Sequence, residues 1–530
     1  MRKEFIVGIV CVLIAASMSS IAFDEKNKNI SYSVSREIIS IGCMKKDVKT
    51  IDVNFNARAL QNTPITGWGD DKYPSICDDS AGNFLLEYSI TTSAMDIDLG
   101  IAYSLDNGKT WSIFGPIDVF EGEAEMQTAI DFCRTEDGKS LAYGTFITTA
   151  NDGGITPFIV FEDMKDETTW MIYYLDWSDD NFYGLESIDI ACDDEIEGMD
   201  EDFVITYTMS FPAFNNWPEV HQIPFILFHP EGDSYWCYWF YYNWSAHARI
   251  DIDRVKDMIY LTFDTKNGTN RDVILEFAPE SALGEWGDGK GEIGLLRVGG
   301  NANAINPDVD ADNGYVYLVC QVDTAGNQDI VCFYSSDGGE TWGMSTIANS
   351  QDDELYPVIE ATGSKATCIF SKNGNLYAAI SEDGGKTWKI VGAINEVEGS
   401  VEEEYANYDI SLSHVVWVDN RGDDLDIYFD KAAAMPVLDV QISGGFGIKV
   451  TISNVGAGVA KDLKLTVDIS GIVLIGKHGE KAIDEIKPGE SVTFNIFVIG
   501  IGPATININV DGISKEATAF IIGPIVLMGF

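Results

Sequence analysis

Ser335-Ser-Asp337-Gly-Gly339-Glu-Thr341-Trp342 is the stretch whose reading decides the fold, because the chain writes it twice more: Ser104-Leu-Asp106-Asn-Gly108-Lys-Thr110-Trp111 and Ser381-Glu-Asp383-Gly-Gly385-Lys-Thr387-Trp388. All three read Ser-x-Asp-x-Gly-x-Thr-Trp. A short β-rich run precedes each copy, so Asp and Gly fall where a hairpin turns. There a carboxylate accepts bonds from turn N–H groups and glycine tolerates positive φ. The tryptophan opens the next strand and can fill the seam beside the turn. A degraded copy, Asp163-Met-Lys-Asp-Glu-Thr-Thr-Trp170, lies between the first two.

Outward from these corners, a second repeat marks the strand that begins each unit. It reads Tyr73-Pro-Ser-Ile-Cys-Asp-Asp, Ala129-Ile-Asp-Phe-Cys-Arg, Ser187-Ile-Asp-Ile-Ala-Cys-Asp, His247-Ala-Arg-Ile-Asp-Ile-Asp, Asn306-Pro-Asp-Val-Asp-Ala-Asp, Tyr356-Pro-Val-Ile-Glu-Ala-Thr and Tyr408-Asp-Ile-Ser-Leu-Ser. Intervals of roughly 40 to 60 residues suit four short strands per unit. Helical periodicity is nearly absent. The expected fold is all-β, a propeller of six to eight and most simply seven four-stranded blades over 49–432. Thr50 to Asn56 is an isolated alternating strand expected to close the ring by pairing with the last blade. In that blade, Trp417-Val-Asp419-Asn-Arg421 and Asp426-Ile-Tyr428 place Arg421 where it can bond the blade's own carboxylates.

Ala432-Ala-Ala-Met-Pro436 breaks the pattern. Six alternating runs follow, separated by Asn454-Val-Gly-Ala-Gly458 and Lys487-Pro-Gly-Glu490, and 436–530 is expected to be a small antiparallel β-sandwich. At the other end, Met1-Arg2-Lys3, an apolar run from Phe5 to Ala16 and Ser20-Ile21-Ala22 make a secretory signal peptide over 1–22, followed by a polar arm over 23–48. Secretion or cell-surface display is the expected localisation.

The chain carries a formal charge of −50. That balance disfavours nucleic acid and anionic membranes as partners. Solvation, divalent cations or a cationic ligand can each account for it. No CxxC or Cys/His zinc spacing occurs, and no later stretch approaches the apolar length of a membrane span. Cys77, Cys133 and Cys192 end similar strands and read as one small buried position repeated in successive blades. Cys320 and Cys332 flank a hairpin and are the pair most readily bonded.

The three corners resemble the Asp box, or bacterial neuraminidase repeat, of sialidase-like β-propellers, and the Trp417–Tyr428 segment resembles a repeat of secreted prokaryotic propellers. Ile452-Ser-Asn-Val-Gly-Ala-Gly and Ile486-Lys-Pro-Gly-Glu-Ser-Val-Thr-Phe resemble immunoglobulin-like adhesion modules of the CARDB-like kind. The Asp box itself is a structural turn. Sialidases of this resemblance hold the substrate carboxylate with three arginines and attack with a tyrosine activated by glutamate, an exception to the usual carboxylate pair. Arg134 and Arg249 lie on the repeated first strands and are the best candidates for anion contact; Arg254 is less well placed. The early Arg-Ile-Pro signature is missing.

Two further groups are candidates. Asp308, Asp310 and Asp312 have the spacing of a calcium loop, but Asn313 and Val319 stand where an EF-hand requires Gly and Glu, and a plain blade start is the simpler reading. No cofactor is required, with calcium the one to consider. The run from Tyr235 to Trp244 holds eight aromatic residues in ten. On it Trp236, Tyr238, Trp239 and Tyr241 can be inter-blade core or a platform for sugar rings. The leading expectation is an exported propeller recognising a glycan or surface protein, with no complete catalytic set. The alternatives are an exo-glycosidase of sialidase type and a structural surface-layer component. Oligomeric state is not legible.

Overall fold

The computed structural model describes residues 35–40, 49–52 and 62–528, excepting 67–68, 80–81, 94–95, 135–139, 150–154, 162–169, 177–182, 197–198, 212–219, 229–234, 241–243, 281–293, 300–301, 325, 433–437, 455–459, 488–489 and 511–512. Seven antiparallel sheets follow one another along the chain, each led by an inner strand: Asp70–Asp78, Glu125–Arg134, Tyr183–Ile196, Ser245–Asp253, Ala304–Asp312, Leu355–Thr362 and Tyr408–Ser411. These inner strands touch one another in succession, and the seventh touches the first, so the sheets close into a seven-bladed propeller. Among the described residues no helix is long and apolar enough to cross a membrane.

Ring closure differs from the sequence expectation. The outer strand of the seventh blade is Thr63–Pro64, paired with Asp426–Lys431. Lys49–Asp52, from the stretch expected to close the ring, instead adds a fifth strand outside the first blade, against Thr110–Ile117. The alternation of 50–56 identified a strand, but periodicity does not state which of two exposed sheet edges a strand covers.

The three corners fold alike. Ser104, Ser335 and Ser381 each accept the N–H of the glycine four residues on and donate to the Asp two residues on. Asp106, Asp337 and Asp383 each accept both the N–H and the hydroxyl of the following threonine at 2.6–2.9 Å. Desolvation would raise Asp337 and Asp383, but these bonds prevail and hold both below the ordinary carboxylate value. Trp111, Trp342 and Trp388 return their indole N–H to the carbonyls of Gly108, Gly339 and Gly385.

Each tryptophan plugs the seam with the preceding blade. Trp111 packs on Phe429, Trp342 on Phe277, and Trp388 reaches Ser345. The glycines are fixed by the same seam. All three have positive φ, and a Cβ at Gly339 or Gly385 would lie 2.6 or 2.8 Å from Phe277 or Tyr334 of the neighbouring blade. Trp170 repeats the plug in the second blade, against Phe114 of the first.

In the seventh blade Asp419 binds Arg421 through both carboxylate oxygens, at 2.8 and 2.6 Å, and also accepts from the Trp417 indole, while the guanidinium lies 4.1 Å from the Tyr428 ring. This is the intra-blade role expected for Arg421. The cysteine readings need correction. Cys320 and Cys332 are free buried thiols. Cys332 pairs with Val319 and Cys320 with Val331, and the two side chains join different cores, so one residue of register turns them to opposite faces. Cys77 and Cys192 are also buried, but not equivalent. The N–H before Cys77 bonds Asp409, whereas Cys192 itself donates to Asp131. The side chain of Cys133 lies outside the described residues.

Beyond the ring, Leu438–Ser443, Ile448–Asn454 and Ser491–Ile496 form one sheet. A larger sheet runs Gly445–Phe446, Ile525–Met528, Ile513–Gly523, Ile499–Val510, Ala460–Ile469 and His478–Ile486. Their inner faces pack a core of Leu, Val, Ile and Ala side chains, which makes the β-sandwich.

Candidate functional site

The inner edge of a propeller leaves a row of strand N–H groups facing the channel, and unpaired donors there are costly. This chain caps them with side chains from the preceding blade. Asp189 accepts from Ile250, Asp308 from Ile359 and Asp409 from Ile76, each at 2.8 Å. One level deeper Asp131 accepts from Cys192, Asp251 from Ala311, and Glu360 from Leu412 and Ser413. Asp312 accepts from Gly363 at 2.7 Å, and Asp310 is bonded by Ala361. Asp308, Asp310 and Asp312 therefore staple blade five to blade six, each taken by its own backbone donor rather than turned toward a shared cation.

Two of the three candidate arginines stand in this channel at different levels. Arg249 lies among Asp189, Asp308 and Asp409, 3.8 Å from Asp308, and donates to the Ile188 carbonyl. Desolvation pushes Asp189 up to about 6 and Asp308 up to about 7, against the pull of Arg249. Arg254 follows the strand and reaches back to Asp131 at 2.5 Å and the Cys192 carbonyl at 2.8 Å. Arg134 ends its strand, and its side chain lies outside the described residues. Each described arginine lies against a carboxylate.

One end of the channel carries a different kind of residue. In five blades the inner strand bulges near its start, and inside the bulge sits a non-glycine with positive φ: Tyr73, Gln127, His247, Asn306 and Tyr356, at 49–54°. Such a conformation costs on the order of 1–3 kcal/mol unless the surroundings impose it. Here the preceding blade does so in three cases. Asn306 N–H goes to Asp264, Tyr356 N–H to Gln321 and Tyr73 N–H to Asn407. Bulges of this kind re-aim side chains, and these surround the channel mouth.

At that mouth, His247 Nδ1 lies 2.7 Å from the buried carboxylate of Asp264, which also binds Arg271. The His247 ring packs on Tyr405, 4.6 Å between centroids, and the Arg249 guanidinium lies 4.9 Å from the same ring. The Tyr405 hydroxyl is enclosed yet has no hydrogen-bond partner. Desolvation raises its pKa and Arg249 opposes the rise. Arg249, Asn306, Tyr356, Tyr405, Ala406 and Tyr408 line one pocket. Nearby, Glu404 takes Lys72 at 2.8 Å and the Tyr73 hydroxyl at 3.5 Å.

Of the residues singled out from sequence, Arg249 alone belongs to this group. His247 was legible only as the first residue of a repeated blade strand, and Asp264, Arg271 and Tyr405 carried no motif. Tyr235–Phe240 forms the outer strand of the third blade, which places the backbone of Trp236, Tyr238 and Trp239 at a blade rim. Their side chains, and Tyr241 altogether, lie outside the described residues.

No known family and no curated protein matches the chain by sequence. Among solved structures it is similar to a mutant of Trypanosoma rangeli sialidase displaying trans-sialidase activity, at 10% identity and TM-score 0.34 over 94% of this chain and 93% of that one. It is also similar to the polysaccharide lyase Uly1, at 9% identity and TM-score 0.44 over 76% and 98% of the two chains. A third is an ulvan lyase bound to a GlcA–Rha3S saccharide, at 11% identity and TM-score 0.44 over 70% and 96%. The solved structures it resembles thus include a sialidase and two polysaccharide lyases, while the fold stands on this chain's own strand pairing.

Proposed function

We propose that this chain is an exported or cell-surface protein that recognises a polyhydroxylated glycan at the mouth of its propeller channel. In this reading residues 1–22 are its leader, the ring is of the sialidase-like Asp-box type, and the C-terminal sandwich is an immunoglobulin-like surface module. The observation that carries it is Tyr405, whose enclosed hydroxyl lacks a partner while Arg249 and His247 pack against its ring. A buried polar group left unpaired costs about 1–3 kcal/mol, and a sugar hydroxyl entering the pocket that Tyr405 lines would supply what is missing. The rings of Tyr73 and Tyr356 beside it offer faces for sugar stacking. A neutral glycan fits better than an anionic one, because the arginines are already paired and the chain is strongly acidic. No cofactor is needed for such binding.

The His247–Asp264 pair favours a second reading, a glycan-cleaving enzyme. A carboxylate on Nδ1 orients an imidazole for proton transfer, with Tyr405 as its neighbour, and this arrangement does not need three converging arginines. Screening the full chain on a glycan array, followed by calorimetry on the best oligosaccharide, tests the first reading. Tyr405→Phe should weaken binding about tenfold, the equivalent of roughly 1.4 kcal/mol, with an unchanged melting temperature. Equal affinity in that variant would overturn the site. Release of new saccharide ends that disappears in His247→Ala would establish the enzyme instead. Binding to no glycan, together with ordered self-assembly, would favour the surface-layer component.

A further inference from the structure

We propose that Asp98, Asp118 and Glu125 form a calcium site that ties the first blade to the second at the mouth end of the ring. One carboxylate oxygen from each lies within 4.8 Å of the others. That spread suits a shared cation with oxygen ligands at about 2.3–2.6 Å. Acidic groups cluster on many surfaces without a metal, so the decisive feature is Glu125. Its side chain is wholly buried, 0% exposed, and its Oε2 has no hydrogen-bond partner, although Oε1 accepts from the Phe120 N–H at 3.3 Å. Asp96 adds a second buried oxygen without a partner, and Asp96, Asp98 and Asp118 all bear electrostatically on Glu125.

The three carboxylates come from three segments. Asp98 is the third residue of the third strand of blade one, Asp96–Ser104; Asp118 follows the outer strand; Glu125 opens the inner strand of blade two. A parallel bridge between Ile97 and Ala124 holds these segments together. Glu125 lies two residues before Gln127, the bulge residue equivalent to His247, so a cation here fixes the entry of blade two at the channel mouth. Asp308, Asp310 and Asp312 differ, since each is taken by a backbone donor of blade six, whereas Glu125 keeps one buried oxygen unbonded.

An all-carboxylate set selects a hard cation over zinc, which takes nitrogen and sulfur ligands. Magnesium demands tighter octahedral geometry and keeps its water, which leaves calcium. The site rests on none of the glycan reading.

The test uses the full chain stripped with EDTA and titrated with CaCl2 alone, by calorimetry and thermal melting. One saturable site with a rise in melting temperature is expected, and MgCl2 should bind at least tenfold more weakly. Asp118→Asn, at an exposed position where folding is safe, should weaken calcium at least tenfold, and Glu125→Gln should abolish the site. Asp308→Asn should leave it unchanged. Absence of a saturable site, equal magnesium affinity, or unaltered calcium affinity in Asp118→Asn would overturn the assignment.

Discussion

The two ends of the ring are made from the same strands and obey different rules. Because the strands alternate in direction, the corners between third and fourth strands lie at one end, while the starts of the inner strands and the ends of the second strands lie at the other. At the corner end, three blades repeat one bonding pattern residue for residue, and each tryptophan enters the same kind of seam. At the mouth end, the bulge is shared but its occupant changes from blade to blade: Tyr73, Gln127, His247, Asn306, Tyr356. Repetition marks what holds the ring together, and variation on a repeated backbone marks what the ring presents.

That comparison can be broken most directly at Trp111. It is fully buried against Phe84 and Phe429, so Trp111→Ala should cost about 3–5 kcal/mol in chemical unfolding, and Trp388→Ala, only half-buried, clearly less. Equal losses at the two positions would mean that burial in the seam does not set the energy. Gly339→Ala comes next, at about 2–3 kcal/mol, because it combines a positive φ with the Phe277 ring.

The channel predicts a pH effect measurable by melting curves in EDTA. Burial raises Asp308 to about 7 and Glu360 to about 8, above their values in the unfolded chain. Their contribution is complete below about pH 4 and is lost as pH rises through 7–8. His414 runs the other way: burial lowers it to about 3, so it withdraws stability as pH falls below about 6.5. The carboxylates outnumber it, so the ring should melt higher at pH 5.5 than at pH 8.5, by the equivalent of ~1 kcal/mol or more, and Glu360→Gln should narrow the gap. Thr387→Val removes one exposed hydroxyl bond to Asp383 and should cost about 1 kcal/mol or less. Smallest of all, Tyr405→Phe should leave stability within about 0.5 kcal/mol, since its hydroxyl bonds nothing in the protein. A large loss there would show that the mouth is structural after all.

Sequence alone determined the all-β class, a propeller of six to eight blades, the sandwich that follows and the corner chemistry, and the strand pairing set the count at seven. Those features live in spacing: a hairpin needs its Asp and Gly at fixed offsets, and Arg421 finds Asp419 two residues away. Within the sandwich the strands Val473–Ile475 and His478–Ile486 are not legible from sequence, because the latter is mostly exposed on both faces and shows no clean alternation. What only the tertiary structure decided are contacts between residues far apart in the chain. Tyr405 meets His247 and Arg249 across the channel, Asp409 caps Ile76, and Thr63–Pro64 closes the ring on the last blade. No local period encodes such meetings. They arise because closing seven twisted sheets into a circle brings the first and last blades, and every inner strand, to one axis.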